Sequence, residues 1–224
     1  MRRVTTGIDG LDRIVGGGFP SMTSILLSGC PGTGKTLFSL NFLIDGAAKG
    51  EKCCYITLSE KKDELIRACK GIDELNRIDE FIDKNLIIEE LTLGETINVD
   101  YFTKMFSLYP KIDRLVIDSI NKLLIYADNN RIYRLRMNKL LRFLKEKINC
   151  SLLLCETRQK EIDTGNGEAF DCDGVIHLSF LEFEEKPVRT LEIHKLRYSS
   201  FDPLLPRELI IDEKGLRLSD MVIV

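Results

Sequence analysis

Short apolar runs alternate with longer amphipathic segments along the first two-thirds of the chain. The runs are only a few residues long and are bounded by polar residues or glycine, which is typical of strands. Because they are apolar at consecutive positions, both faces of each strand are expected to be buried, as in a parallel sheet. We therefore predict strands over residues 24–28, 53–58, 85–89, 115–118 and 151–155.

The segments between these runs have the 3.6-residue period of helices that cover a sheet. Helices are predicted over residues 35–49, where Gly50 ends the pattern, over 61–70, over 97–109 and between the last two strands. The last and longest of them has one apolar face, formed by Tyr133, Met137, Leu140, Leu141, Leu144 and Ile148. Strands that alternate with helices predict a doubly wound α/β fold with a mostly parallel sheet.

The pattern changes to paired strands near the C-terminus. Residues 175–183 and 189–197 have strand character on either side of a polar turn, which predicts a hairpin. A second hairpin is predicted from residues 208–211 and 216–218. These strands would extend the sheet in antiparallel orientation at one edge. No linker or composition change divides the chain, so residues 1–224 are predicted to form a single domain.

Composition and charge exclude several classes of protein. The 224 residues are 44% hydrophobic and 30% charged, which is unlike a disordered chain. No apolar run approaches the length of a membrane helix, and no secretory signal follows the first residues, so we expect a cytoplasmic protein without a membrane partner. A net charge of −3 gives no general attraction for nucleic acid. The seven cysteines include no C-x-x-C pair, which favours reduced thiols over a disulfide framework or a zinc ribbon.

The strongest chemical signal is a G-x-x-x-x-G-K-[ST] motif between the first strand and the first long helix. In this motif glycines let backbone N–H groups surround phosphates, and the helix N-terminus adds partial positive charge. Lys35 is predicted to contact the β- and γ-phosphates, and the Thr36 hydroxyl to bind Mg²⁺. The alternative is a glycine-rich turn that only caps the helix. The predicted ATP-binding residues are Gly29, Cys30, Pro31, Gly32, Thr33, Gly34, Lys35 and Thr36.

Asp118 ends the apolar run 115–118. A carboxylate at the end of a buried strand beside the phosphate loop is well placed to hold Mg²⁺, directly or through water. By itself this signal is weak, because an Asp at the end of a strand also caps the segment that follows.

Several further segments follow in an order that resembles KaiC-type ATPases of the RecA superfamily. They are residues 6–12, 16–20, 29–36, 55–60, 116–119, 173–176 and 194–197. The resemblance implies a RecA-like P-loop NTPase core that hydrolyses ATP. It also implies a homo-oligomeric ring, a hexamer in the family, with nucleotide between subunits. The best-known family member has two such domains, whereas this chain resembles one.

The resemblance also identifies a departure at the predicted catalytic base. Family members typically have two successive glutamates where this chain has Ser59 and Glu60. A serine hydroxyl is not a general base for water near neutral pH. Glu60 could take that role, or Glu156 could approach from another strand, or Glu60 could belong only to the solvated start of the next helix. We therefore expect slow hydrolysis.

Lys195 and Arg197 are two residues apart on the predicted strand 189–197, so both side chains are expected on one face. Leu191 and Ile193 have the same parity. This face is therefore predicted to begin in the core and to end with two positive charges.

The KaiC resemblance implies that Lys195 and Arg197 reach the γ-phosphate held by a neighbouring subunit. They would then act as an arginine-finger device, which stabilises the charge of the transferring phosphoryl group. The alternative is an exposed basic strand end that pairs with Glu192 or Asp202.

Three functions remain open at this stage. The first is a KaiC-like ring ATPase that binds ATP and ADP, acts in regulation or signalling and has a protein partner. The second is a recombinase-like or DNA-repair paralogue, which would need a DNA-binding surface. The third is a nucleotide-binding scaffold without turnover.

Overall fold

The computed structural model of the chain describes residues 2–91, 104, 108–109, 111–125, 127–158 and 161–223. The helix predicted over residues 97–109 falls almost wholly outside these ranges. The strands are β1 (Arg3–Val4), β2 (Phe19–Pro20), β3 (Thr23–Gly29), β4 (Cys53–Thr57), β5 (Leu86–Glu90), β6 (Arg114–Asp118), β7 (Cys150–Glu156), β8 (Gly174–Phe183), β9 (Lys186–Leu196), β10 (Arg207–Ile211) and β11 (Leu216–Val222).

The described strands form a large mixed sheet and a small antiparallel pair, β1–β2. The order of the large sheet is β11-β10-β9-β8-β3-β7-β6-β4-β5. Strands β8, β3, β7, β6, β4 and β5 are parallel to one another, whereas the pairs β8–β9, β9–β10 and β10–β11 are antiparallel. The prediction of a mostly parallel sheet with an antiparallel C-terminal extension is therefore confirmed.

Helices cover both faces of this sheet. They are α1 (Leu11–Ile14), α2 (Lys35–Ala48), α3 (Lys62–Cys69), α4 (Asp73–Asn76), α5 (Ile78–Phe81), α6 (Ile120–Ile125), α7 (Asn130–Lys147) and α8 (Glu168–Asp171). Consecutive residues of β6 show the two layers, because Val116 packs in the core under α2–α5 and Leu115 in the core under α6 and α7. The six residues predicted for the apolar face of the long helix are all buried. In the described parts of the chain, no helix combines the length and apolar character needed to cross a bilayer.

Parallel strands bring four chain segments to the same edge of the sheet. Gly29 at the end of β3 pairs with Glu156 of β7, and Thr57 at the end of β4 pairs with Asp118 of β6. Ligands of open α/β sheets bind outside the carboxyl ends of the strands. The phosphate loop, Asp118 and the segment with Glu60 are therefore placed at this edge by topology alone.

Arg114 at the start of β6 is a buried cation that joins the N-terminal segment to α2. Its side chain is 1% exposed, and its guanidinium donates to the carbonyl oxygens of Thr5 (2.8 Å) and Phe42 (2.7 Å). It also pairs with Asp45 at 3.1 Å and with Glu51. A buried charge is tolerated only with such partners, because its desolvation costs several kcal/mol.

Replacing Arg114 with Met is expected to lower the free energy of unfolding by about 3–5 kcal/mol, because it leaves Asp45 and Glu51 without their buried partner. Urea unfolding followed by circular dichroism measures this change. Arg13→Met is the matched control, since Arg13 pairs with Asp220 at the surface and its loss should cost less than about 1 kcal/mol. Equal effects of the two substitutions would contradict the structural role of Arg114.

Candidate nucleotide-binding site

The phosphate loop connects β3 to α2, and its backbone conformation requires glycine. Gly29 has a φ of 153°, and a Cβ there would lie 2.3 Å from the carbonyl oxygen of Leu178. Gly34 has a φ of 101° and forms the N-cap of α2, which begins at Lys35. The loop therefore leads directly into the N-terminus of a 14-residue helix. There the free backbone N–H groups and the helix macrodipole favour an anion.

The Lys35 ammonium lies inside this loop. Its Nζ donates to the carbonyl oxygens of Gly29 (2.7 Å) and Cys30 (2.9 Å). Burial lowers the pKa of Lys35, while the negative charges of Glu156 and Asp118 oppose that shift. A cation held by only two carbonyl oxygens keeps a third donor for an incoming phosphate.

Asp118 ends β6 opposite the loop, and its carboxylate accepts a hydrogen bond from the buried hydroxyl of Tyr55. Burial raises the pKa of Asp118, and the charge of Glu156 acts in the same direction, whereas Tyr55 and Lys35 lower it. The carboxylate of Asp118 and the hydroxyl of Thr36 line one cleft. Oxygen donors of this kind fit Mg²⁺, which is held by one or two protein groups together with phosphates.

Two glutamates approach the cleft from different strands. Thr57 fixes the turn that carries Glu60: its hydroxyl donates to the Glu60 carbonyl oxygen (2.7 Å) and accepts from the Glu60 N–H (3.0 Å). Glu156 at the end of β7 exchanges two hydrogen bonds of 2.8 Å between its backbone and the side chain of Asn121. Partial burial raises the pKa of Glu60, and the charges of Asp118, Glu64 and Glu156 add to the shift.

Part of the phosphate loop, Asp118 and both glutamates line one cleft of about 400 Å³ at the carboxyl edge of the sheet. Its lining residues are Pro31, Gly32, Gly34, Lys35, Thr36, Leu37, Ser59, Glu60, Asp118 and Glu156. The structure thus brings together the predicted phosphate loop, the predicted magnesium ligands and both candidate bases. The carboxylates and the lysine give the cleft the groups that bind a metal–triphosphate and position a water molecule.

The predicted shared face of Lys195 and the core residues of β9 is wrong, because the strand contains a β-bulge. Ile193 pairs with Ile176, but the next pair along the ladder joins Lys195 to Val175, so one extra residue lies between them on β9. The bulge reverses the side-chain parity. As a result Leu196, rather than Lys195, continues the core face of Ile193.

Lys195 is instead held at the end of α8. Its Nζ donates to three carbonyl oxygens, at 2.6–3.1 Å, of Ala169, Phe170 and Cys172. Burial lowers the pKa of Lys195, and the neighbouring charge of Arg197 lowers it further. In the described structure Lys195 therefore caps this short helix.

Arg197 lies just beyond the end of β9, with its side chain 51% exposed. Its guanidinium is 3.7 Å from the buried carboxylate of Asp173, so its acidic neighbour is neither Glu192 nor Asp202. Within its own chain it lies far from the cleft. Leu196 pairs with Gly174 at the start of β8, whereas the phosphate loop begins beside Leu178.

Arg189, unlike Arg197, contacts the phosphate loop of its own chain directly. The Arg189 Nε of β9 donates to the carbonyl oxygen of Gly32 at 3.3 Å, and its guanidinium lies 5.4 Å from the centre of the Phe180 ring. Phe180 and Arg189 are directly opposite in the β8–β9 hairpin. This pair braces the middle of the loop from the antiparallel part of the sheet.

A sequence model of the KaiC ATPase family matches residues 4–220. The chain belongs to the KaiC ATPase family. The resemblance proposed from the order of its motifs is therefore confirmed, and with it the assignment to a family of P-loop ATPases.

The relatives include both long and short proteins. The circadian clock protein KaiC2 of Synechocystis is 29% identical over 87% of this chain, and the chain spans only 36% of its length. The UPF0273 protein MK0039 of Methanopyrus kandleri is 29% identical over 97% of this chain and 92% of its own length. The crystal structure of the KaiC-like protein PH0186 of Pyrococcus horikoshii superposes with a TM-score of 0.81 at 27% identity, covering 97% and 99% of the two chains.

Some contributors to the KaiC-type cleft were missed by sequence reasoning. The sequence indicates only a strand position for Tyr55, although its hydroxyl donates a hydrogen bond to Asp118. The sequence indicates only a hairpin position for Arg189, although its side chain donates a hydrogen bond to the loop at Gly32. The pairing of β4 with β6 could have indicated Tyr55, because Thr57, two residues along on the same face, pairs with Asp118.

Proposed function

We propose that this chain binds ATP with Mg²⁺ in the cleft and hydrolyses it slowly, as a single ATPase domain over residues 1–224. The observation that carries the proposal is the convergence of Lys35, Thr36, Asp118 and Glu60 on one cleft at the carboxyl edge of the sheet. P-loop ATPases require a loop lysine, a magnesium-side hydroxyl and carboxylate, and a group that orients water.

The roles of the residues follow from their positions. On binding, the Lys35 ammonium donates its third N–H to a phosphate oxygen, beside its bonds to the two loop carbonyl oxygens. Thr36 and Asp118 hold Mg²⁺, which neutralises charge on the phosphate oxygens when it is bound. Glu60 accepts a hydrogen bond from the attacking water and takes its proton. Its raised pKa brings its basicity closer to neutral pH.

We also propose a homo-oligomeric ring in which Arg197 of one copy completes the cleft of the next. Arg197 is half-exposed and lies near the amino edge of the parallel strands, so it is too far from its own phosphate loop to act there. An arginine supplied in trans makes turnover depend on assembly. Such dependence suits a regulatory or signalling module, which would act through a protein partner.

Calorimetry with a matched variant tests nucleotide binding. We expect ATP and Mg²⁺ to produce a saturable heat signal with the wild-type chain, and none with Lys35→Ala, because that variant loses the cation of the loop. Circular dichroism must show that both chains are folded. A folded wild-type chain that gives no heat with any purine triphosphate would contradict the proposed function.

Cys30 provides an independent test within the loop. All seven cysteines lie in the described part of the chain, and Cys30 is the only one of them that is not buried. A maleimide should therefore modify Cys30 first, and bound ATP with Mg²⁺ should slow that reaction at least about tenfold because the phosphates cover the loop. The Cys30→Ser variant should lack the fast phase. An unchanged rate at saturating ATP would place the nucleotide elsewhere.

A further inference from the structure

Tyr198 is an aromatic residue in an unfavourable backbone conformation at the surface. Its φ is +63°, in the left-handed region that residues with a Cβ rarely occupy. It is nevertheless 63% exposed, so packing within the chain does not explain why a large ring stands here. Strained residues of this kind cluster at functional surfaces.

The turn that carries Tyr198 is held by a side chain from another strand. Arg3 of β1 donates to the carbonyl oxygens of Tyr198 (3.0 Å) and Gly18 (3.3 Å), and also to the hydroxyl of Ser199. These bonds fix the turn from the N-terminal side. The exposed ring is therefore presented by an ordered segment.

A second exposed aromatic residue, Phe170, lies beside Lys195. Phe170 of α8 is 79% exposed, and its carbonyl oxygen accepts a hydrogen bond of 2.8 Å from Lys195. The backbone N–H of Arg197 donates to the Asp173 carbonyl oxygen at 2.9 Å, which ties the segment after β9 to the residues after α8. We call Phe170, Lys195, Arg197 and Tyr198 the finger surface.

The chemistry of this surface identifies its occupant. Exposed aromatics and arginine are enriched where proteins bind proteins, and aromatic anchors with arginine carry most of the binding energy. The half-exposed guanidinium of Arg197 is complementary to the carboxylates of Glu60 and Glu156, which line the nucleotide cleft. Because the two surfaces lie at opposite edges of one sheet, the matching cleft belongs to a second copy of the chain.

We propose that Tyr198 and Phe170 are the apolar anchors with which this chain docks beside the nucleotide cleft of a second copy and so delivers Arg197 to it. The inference rests on the proposed function, because it assumes the ring. It adds the residues that hold the contact together, as distinct from those that touch phosphate. The contact joins different patches of the two copies, so it is heterologous, the type of contact from which rings are built.

Tyr198→Gly is the decisive variant, because glycine adopts a φ of +63° without strain and the folded monomer should be no less stable. We expect sedimentation velocity with ATP and Mg²⁺ to show at least a 30-fold weaker subunit association. Phe170→Ser, at another exposed position, should weaken association about tenfold. Met221→Ser is the control, since Met221 is 51% exposed on the edge strand β11, outside the finger surface; its association should equal that of the wild-type chain.

The outcomes separate this inference from the proposed function. Association of Tyr198→Gly and Phe170→Ser that matches the wild-type chain overturns the anchors and leaves the ring standing. A wild-type chain that stays monomeric with ATP and Mg²⁺ overturns the ring and the anchors together, while calorimetry still reports whether the cleft binds ATP. Weakening by Met221→Ser equal to that by Tyr198→Gly would place the contact elsewhere and would also overturn the inference.

Discussion

Replacing Glu60 with glutamine is expected to lower steady-state ATP turnover by at least about 100-fold. Glutamine keeps the size of the side chain and its place in the cleft, but its amide cannot take a proton from water. ATP affinity should change little, because Glu60 is placed to act on the attacking water and the phosphate loop is untouched. Phosphate release measures turnover, and calorimetry measures affinity.

Glu156→Gln is the matched control, because Glu156 lines the same cleft from β7. Its loss should reduce turnover less than about tenfold if Glu60 is the base. A large loss with Glu156→Gln and a small one with Glu60→Gln would transfer the role of base to Glu156. Small losses in both variants would favour a scaffold that binds nucleotide without turnover.

The pH profile gives a second readout on Glu60. A base must be deprotonated to act, so turnover falls as the pH drops through its pKa. Because burial and the charges of Asp118, Glu64 and Glu156 raise the pKa of Glu60, this fall should begin at a higher pH than for an ordinary carboxyl group. Any residual turnover of Glu60→Gln should lack this limb of the profile.

The parts of the site at the carboxyl edge could be predicted from sequence because local signals and topology agree there. Strands β3, β4, β6 and β7 are buried on both faces, as the inner strands of a parallel sheet are, and parallel strands end at one edge. Gly29 and Asp118 each end such a strand, in β3 and β6. Once the sheet is parallel, the loop and the carboxylate meet without further information.

The position of Lys195 could not be predicted in the same way. Leu191, Ile193 and Lys195 are spaced by two residues, so a regular strand would place all three on one face. The one sequence feature that disagrees with a regular strand is the apolar residue Leu196, which falls on the opposite face. The bulge is defined by the pairing of β9 with β8, which the sequence of β9 alone does not contain. Buried partners of Arg114 were equally hidden, because they come from segments far apart in the chain.

Replacing Arg197 with Ala is expected to lower turnover by about 1,000-fold, the effect of removing an arginine finger. The affinity of each cleft for ATP should change little, since the loop and Asp118 are intact in the same chain. Lys195→Ala is an informative comparison. Lys195 holds the end of α8, so its loss should lower the thermal stability of the chain as well as turnover, whereas Arg197→Ala should lower turnover without lowering that stability.

Mixing Arg197→Ala with Lys35→Ala then tests whether the finger acts between copies. The first variant keeps a working cleft and the second keeps a working finger, so an interface that joins this cleft to that finger is complete. With equal amounts and random order in the ring, about one quarter of the interfaces have this arrangement, and about one quarter of wild-type turnover should return.

Each variant alone should remain inactive at the same total concentration. If turnover does not return although sedimentation shows that the two variants assemble together, Arg197 does not act on the neighbouring cleft. Recovery can come only from a site shared by two chains, because neither chain carries both groups.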